Sequence, residues 1–278
     1  MLPRWIARIY LVYLLLPIAL LLIGSFGGSW MNSLLPTGFT GRWYSQVIAD
    51  PSFRRAFLSS LLVATATCGA CVLVGLPLAY AVFKTRSATV RTLAKTLSML
   101  PVALPPLVLA FGFVLVFSSD TLPWLGSLWL LVAGHVILCL PYFFQTVLGD
   151  MARLNLHALE QAAESLGGNA VQRFFHVILP ALRQSILSGL IIVAALSIGE
   201  FQFSNLVAGF LNRTYPIVLL QAFYGATGAA CAATVILLLL ALSASIAGAV
   251  TARSASGGGA SRGGRELSAA GAGAGFAP

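Results

Sequence analysis

A chain of 278 residues that is 59% hydrophobic and only 8% charged, with a mean hydropathy of +0.93, is too apolar for a water-soluble globular domain and belongs in a bilayer. Its formal net charge of +9 would point to nucleic acid in a soluble protein, but here the basic residues fall between apolar stretches, so topology accounts for them and no nucleic-acid partner is implied. Cys68, Cys71, Cys139 and Cys231 all lie inside apolar stretches, which excludes a disulfide-stapled secreted fold and leaves Cys68-x-x-Cys71 without the setting of a redox pair.

The first apolar segment, Ile9 to about Ile23, follows Arg4 and Arg8 and is not followed by a clean small-x-small cleavage site. It predicts a retained transmembrane helix reaching about Trp30. Met31 to Arg55 is polar, with helix starts at Thr40 and at Asp50-Pro51; short interfacial helices are predicted, with Trp43 and Tyr44 at headgroup level. The second span, about Ala56 to Phe83, carries Ala64, Ala66, Gly69, Ala70 and Gly75, small residues that let helices approach closely. It ends at the basic run Lys84, Arg86, Arg91, Lys95. A third span, about Thr96 to Phe117, is broken by Pro101 and by Pro105-Pro106. Freed backbone groups at membrane depth need protein or a water-filled cavity to satisfy them, so this helix either lines a pathway or carries a packing kink. A tight turn, Ser118 to Trp124, leads to a fourth span, Leu125 to about Leu148. The fifth runs from Gln184 to about Ala208, and the sixth from about Ile217 to Val250, too long to be straight and expected to begin with an interfacial segment around Tyr215 to Tyr224. The chain is thus all-α and polytopic, a six-helix transmembrane domain over 1–253. Residues 254–278 are Gly-, Ala- and Ser-rich and read as a disordered tail.

Between the fourth and fifth spans lies a polar interlude, Asp150 to Arg183. Leu156, Leu159, Ala163 and Leu166 fall on one helical face, with Arg153, Glu160 and Glu164 mostly elsewhere, which predicts a short amphipathic helix ended by Gly167-Gly168. Asn169 is placed to cap a second short helix carrying Val171, Phe174, Phe175 and Ile178, and Pro180 to open a third.

Gln161-Ala162-Ala163, then Gly167, then Leu179-Pro180 resembles the EAA loop of binding-protein-dependent ABC importer permeases. That resemblance implies a cytoplasmic loop whose coupling helix docks on an ATPase, with Leu159, Glu160, Gln161, Ala162, Ala163, Leu166, Gly167, Leu179 and Pro180 as docking residues. The match departs at Gln161, where the family usually has Glu; Glu160 is one residue early, about 100° round the helix, and is an imperfect stand-in. Phe39-Thr40, Trp43-Tyr44, Asp50-Pro51 and the Ser197-to-Phe201 segment are similar to the polyamine (spermidine/putrescine) branch. Taken over roughly Met1 to Arg253, the resemblance implies the type I importer permease fold (MetI-like) in the inner membrane. It also implies a partner ATPase in two copies that uses ATP and Mg, no cofactor on this chain, a second and different permease, and a periplasmic binding protein. Spermidine or putrescine is the expected cargo; ferric ion, thiamine or an aminophosphonate fits similar permeases.

Six spans put both termini on one side. Twelve of the 16 Lys and Arg residues fall on that side and only Arg42, Arg54, Arg55 and Arg213 fall opposite, so the termini and the EAA-like loop are expected to be cytoplasmic. Glu200 is the one acid deep in an apolar span. A charge there costs about 2.5–3.5 kcal/mol even on lenient scales. It either lines a translocation path together with Gln202, Ser204 and Asn205, and with Pro101 and Pro105 of the broken third span, or makes a structural hydrogen bond to a neighbouring helix. His135, His157 and His176 are scattered without ligand spacing, so no metal is expected, and no phosphate-cradling Gly-Lys motif occurs. A polytopic enzyme acting on lipids would gather Asp or His near the interface, and here they are dispersed. A passive channel gives no reason for a docking loop.

Overall fold

The computed structural model describes residues 2–30 and 35–243, the side chains of 2–4 excepted. The end of the expected sixth span at Val250 and the tail 254–278 lie outside the described residues. The chain divides into two compact units, residues 1–47 with 222–278, and residues 48–221.

In the first unit, α1 (Leu2–Ser25) is apolar on every side beyond Arg8 and exposed from Trp5 to Ala19, as suits a helix surrounded by hydrocarbon. It ends in an antiparallel hairpin that the sequence did not announce, β1 (Gly27–Ser29) with β2 (Thr37–Phe39), pairing Gly27 with Phe39 and Ser29 with Thr37. The predicted start near Thr40 opens α2 (Arg42–Ala49). Trp43 and Tyr44, expected at headgroup level, are half-buried and held by protein: the Trp43 indole N–H donates to the Gly27 carbonyl at 2.7 Å, and the Tyr44 and Ser25 hydroxyls pair at 2.7 Å. The last described helix, Thr227–Ser243, brings Cys231 against Gly24, where a Cβ would lie 2.9 Å from its sulfur.

The second unit begins at the predicted Asp50-Pro51 start: Asp50 Oδ1 accepts from the Ser52 N–H at 2.7 Å, and Pro51 occupies the first turn. From there α3 (Pro51–Lys84) runs for 34 residues, so the interfacial helix expected at Ser52 and the second span are one helix. Ser87 caps α4 (Ala88–Ala103), which places Arg91 and Lys95 on a helix rather than in a loop. Pro101 sits in the last turn of α4 without breaking it. The break falls at Leu104-Pro105, both extended (ψ 125° and 134°), where two successive residues are each followed by proline and so disfavour the helical region. α5 (Pro106–Phe117) leaves at 90° to α4.

α6 (Leu128–Arg153), capped by Ser127, reaches five residues beyond the expected Leu148. α7 (Leu156–Ser165), α8 (Ala170–Arg173), a π-helical turn Phe174–Ile178 and α9 (Leu179–Ala181) build the interlude. α10 (Arg183–Gly199) starts after a 64° bend, followed by α11 (Gln202–Val207) and α12 (Tyr215–Gly225). Among the described residues three helices are long and apolar enough to cross a membrane, or five if each bent pair is one span.

The core of this unit is α3, α6 and α10. Phe143 is fully buried between Gly75 of α3 and Gly189 of α10, where an added Cβ would stand 2.7 and 2.8 Å from its ring. Lipid tails are as apolar as the side chains, so close backbone approach through small residues, rather than exclusion of water, holds such helices together. Gly75 does what the small-residue run predicted, whereas Gly69 faces open space. A second cluster joins Val63, Ala110, Leu131, Phe203 and Val207. All four cysteines are free.

Candidate functional site

Two places collect the residues singled out by sequence: the α7–α9 loop and the junction of α10 with α11.

α7 starts from Asn155, whose φ of 48° turns the chain out of α6. It ends in a Schellman closure: the Gly167 N–H donates to the Glu164 carbonyl at 2.9 Å and the Gly168 N–H to the Ala163 carbonyl at 3.0 Å, with Gly167 at φ 83°. Asn169 then caps α8 reciprocally with Gln172, each bond 2.9 Å. Pro180 lies in the first turn of the short α9, and the long helix waits until Arg183.

The predicted apolar face of α7 divides in two. Leu156 is buried and packs into the core with Ile178 and Leu182, while Leu159 and Leu166 stay exposed, Leu166 at 88%. Gln161 and Ala162 are exposed and Ala163 is half-buried. Leu179 packs against the core and Pro180 is exposed. Val171 and Phe175, which the sequence reading left out of the docking set, are exposed apolar side chains on the same loop; their helical spacing after the Asn169 cap was the available signal.

Glu160, expected among the docking residues as an imperfect stand-in for the family's Glu, is not on the exposed side of α7. It is 3% exposed and turned inward, where it accepts hydrogen bonds from Lys84 Nζ at 2.9 Å and Tyr80 Oη at 3.0 Å, both on α3. Burial by itself raises its pKa, but those two bonds and the charges of Lys84 and Arg173 outweigh it and hold the carboxyl below its ordinary value. The acid one residue early is therefore the residue that fastens the loop to α3. Asp150 makes a parallel tie, accepting from Ser185 Oγ at 2.6 Å and from Arg153 Nε at 3.0 Å.

At the second place α10 stops at Gly199 and Glu200 reaches forward over the start of α11. Its carboxylate accepts from the Phe203 N–H at 2.7 Å, the Ser204 N–H at 2.8 Å and the Ser204 hydroxyl at 2.7 Å. A carboxylate on the free N–H groups of a helix start is favoured by both hydrogen bonding and the helix dipole. Ser204 is also 2.9 Å from His135 Nε2, and Ser197 is 2.8 Å from His135 Nδ1. With Ser204 donating to Glu200, a neutral imidazole completes the network by donating from Nε2–H to Ser204 and accepting at Nδ1 from Ser197. His135, fully buried in α6, and Ser197 were missed by sequence reasoning, although an imidazole inside an apolar span was the signal.

Glu200 also borders a cavity of about 200 Å³ with Pro101, Pro106, Leu138, Tyr142 and Leu196. The structure thus brings Pro101 to Glu200 across the α4–α5 break, which Pro105 caps. Gln202 and Asn205 are exposed, and Ser204 is buried in the Glu200 network rather than facing the cavity. Of the two roles foreseen for Glu200, the hydrogen bond is present and lies within α10–α11 itself. Among the described residues no group of three or more His, Cys, Asp or Glu gathers as a metal site.

The family described as binding-protein-dependent transport system inner membrane component matches residues 71–256. The chain is 29% identical over 216 residues to a putative 2-aminoethylphosphonate transport system permease protein of Salmonella typhimurium, 77% of this chain and 79% of that protein. It is 31% identical to the corresponding protein of Salmonella paratyphi A, over 69% and 71% of the two chains. It is 28% identical to a spermidine/putrescine transport system permease protein of Escherichia coli, over 76% and 77%. In fold it resembles, at a TM-score of 0.57 and 13% identity, a chain of a bacterial ABC transporter involved in the import of the acidic polysaccharide alginate, covering 90% of this chain and 94% of that one.

Proposed function

The chain belongs to the family of binding-protein-dependent inner membrane transport components and is a permease of an ABC importer, and from that premise we propose how it works. It crosses the inner membrane six times: α1, α3, the bent pair α4–α5, α6, the bent pair ending in α10, and the helix beginning at Thr227. Both termini and the α7–α9 loop face the cytoplasm, because twelve basic residues lie on that side. A separate ATPase subunit, present in two copies and using ATP and Mg, docks on the loop; a second, different permease completes the pore, and a periplasmic binding protein delivers the cargo.

The observation that carries the coupling is the division of α7. Its inner edge is tied to α3 through Glu160, while Leu159, Ala162 and Leu166 are left exposed in a polar segment between two spans. An exposed apolar stripe on a helix bolted to a transmembrane helix is what a moving partner needs to push on.

The cargo is a small solute bearing an ammonium group. Spermidine, putrescine and 2-aminoethylphosphonate, the solutes for which the relatives are named, share a primary amine, and Glu200 at the edge of its cavity supplies the matching charge. Ferric ion or thiamine would be the alternative. Uptake of radiolabelled putrescine and of 2-aminoethylphosphonate, measured in cells expressing the whole transporter, tests the assignment. Leu166→Asp should abolish either uptake and co-purification of the ATPase. Uptake of neither amine, with uptake of ferric ion or thiamine instead, would overturn the cargo while leaving the coupling intact.

A further inference from the structure

At the basic end of α3, α4 and α6 lies a pocket of about 280 Å³. The importer mechanism does not use it. Its wall is Arg91 and Lys95, one turn apart on α4, and its base is Val82, Phe83 and Met151. His157 closes one side, its ring stacked on Phe83 at 4.1 Å. No carboxylate lines the pocket. Arg91 donates to the Thr85 carbonyl at 2.7 Å, which fixes the guanidinium while leaving other N–H groups free. The Lys95 ammonium has no hydrogen-bond or ion-pair partner among the described residues.

We propose that this pocket is a binding site for an anionic membrane phospholipid, with its phosphate on Arg91 and Lys95. Two unneutralised cations ask for an anion, and their spacing on one helix face lets both reach a single phosphate. The apolar base argues against a free ion. A headgroup on the basic wall would lay its acyl chains over the base formed by Val82, Phe83 and Met151. Basic pockets between membrane helices, at the level where charge gives way to hydrocarbon, bind such headgroups. The proposal does not depend on the cargo or on the coupling role of α7.

The complete transporter, purified in mild detergent, would be titrated with phosphatidylglycerol or with phosphatidylcholine of the same acyl chains and examined by native mass spectrometry. Two cations near a headgroup give an expected preference for phosphatidylglycerol of about thirtyfold. R91Q/K95Q should erase the preference, R91K/K95R should keep it, and Arg153→Gln, outside the pocket, should leave it unchanged. As a check that needs no variant, phosphatidylglycerol with a photoreactive acyl chain should label the pocket base on α3 and α6, at Val82, Phe83 or Met151. Equal binding of the two lipids, preference surviving in R91Q/K95Q, labelling confined to other helices, or displacement by equimolar glycerol phosphate would each overturn the proposal, the last by showing a site for soluble anions.

Discussion

Replacing Glu160 should loosen α7 from the membrane helices without affecting insertion. The carboxylate accepts from Tyr80 at 3.0 Å and from Lys84 at 2.9 Å, and its side chain is 5% exposed against 45% for Lys84. A buried hydrogen bond to an ionised acceptor contributes about 1.5–3 kcal/mol. The Lys84 share is screened by solvent to about 0.5–1 kcal/mol. Glu160→Ala should therefore cost about 2–4 kcal/mol of local stability, so the amides of α7 should exchange hydrogen about 30- to 900-fold faster, with stimulated ATP hydrolysis reduced alongside. The pH dependence has a definite sign. Because the folded-state pKa is lowered, the stabilisation is complete above the ordinary carboxyl value of 4.5 and is lost as pH falls below it. In Lys84→Met the lysine's bond and charge are gone and burial, the largest single influence, opposes only the Tyr80 bond and the Arg173 charge, so the pH at which α7 loosens should move up. If exchange in α7 stays within twofold of the parent protein in both variants, the tie to α3 does not hold the loop.

Three further outcomes follow from named geometry. Gly167 stands at φ 83° in open space, so Gly167→Val should cost about 1–2 kcal/mol through backbone strain alone; it should insert normally yet lose ATPase co-purification, and normal assembly would remove the reason for that glycine. Glu200→Ala removes the cap on α11, about 1 kcal/mol, and should lower uptake with the ATPase still bound, whereas Glu200→Gln should be intermediate; unchanged uptake in both would take Glu200 off the path. Reporter fusions after Arg253 or between Arg86 and Arg91 should be cytoplasmic and one at Thr37 to Thr40 external, and an external signal from the Asp150 to Arg183 loop would invert the topology.

Sequence alone determined what depends on local chemistry. Apolar runs of spanning length, the Asp50-Pro51 helix start, the Gly167 closure and the Asn169 cap were all legible, because each is set by a few neighbouring residues and their backbone preferences. The division of α7 was not: Leu156 and Leu159 are equally apolar, and only the position of α3 and of the core decides that one is buried and the other presented. The partners of charges were equally out of reach, since Glu160 meets Lys84 across 76 positions and His135 meets Ser204 across 69. Proline likewise promised a break in the third span, but its place at Leu104-Pro105 rather than Pro101 was decided by which residue could turn extended while α4 stayed intact around it. Short-range preferences are written in the order of residues, whereas the choice of which face is covered belongs to helices that meet only after the chain has folded.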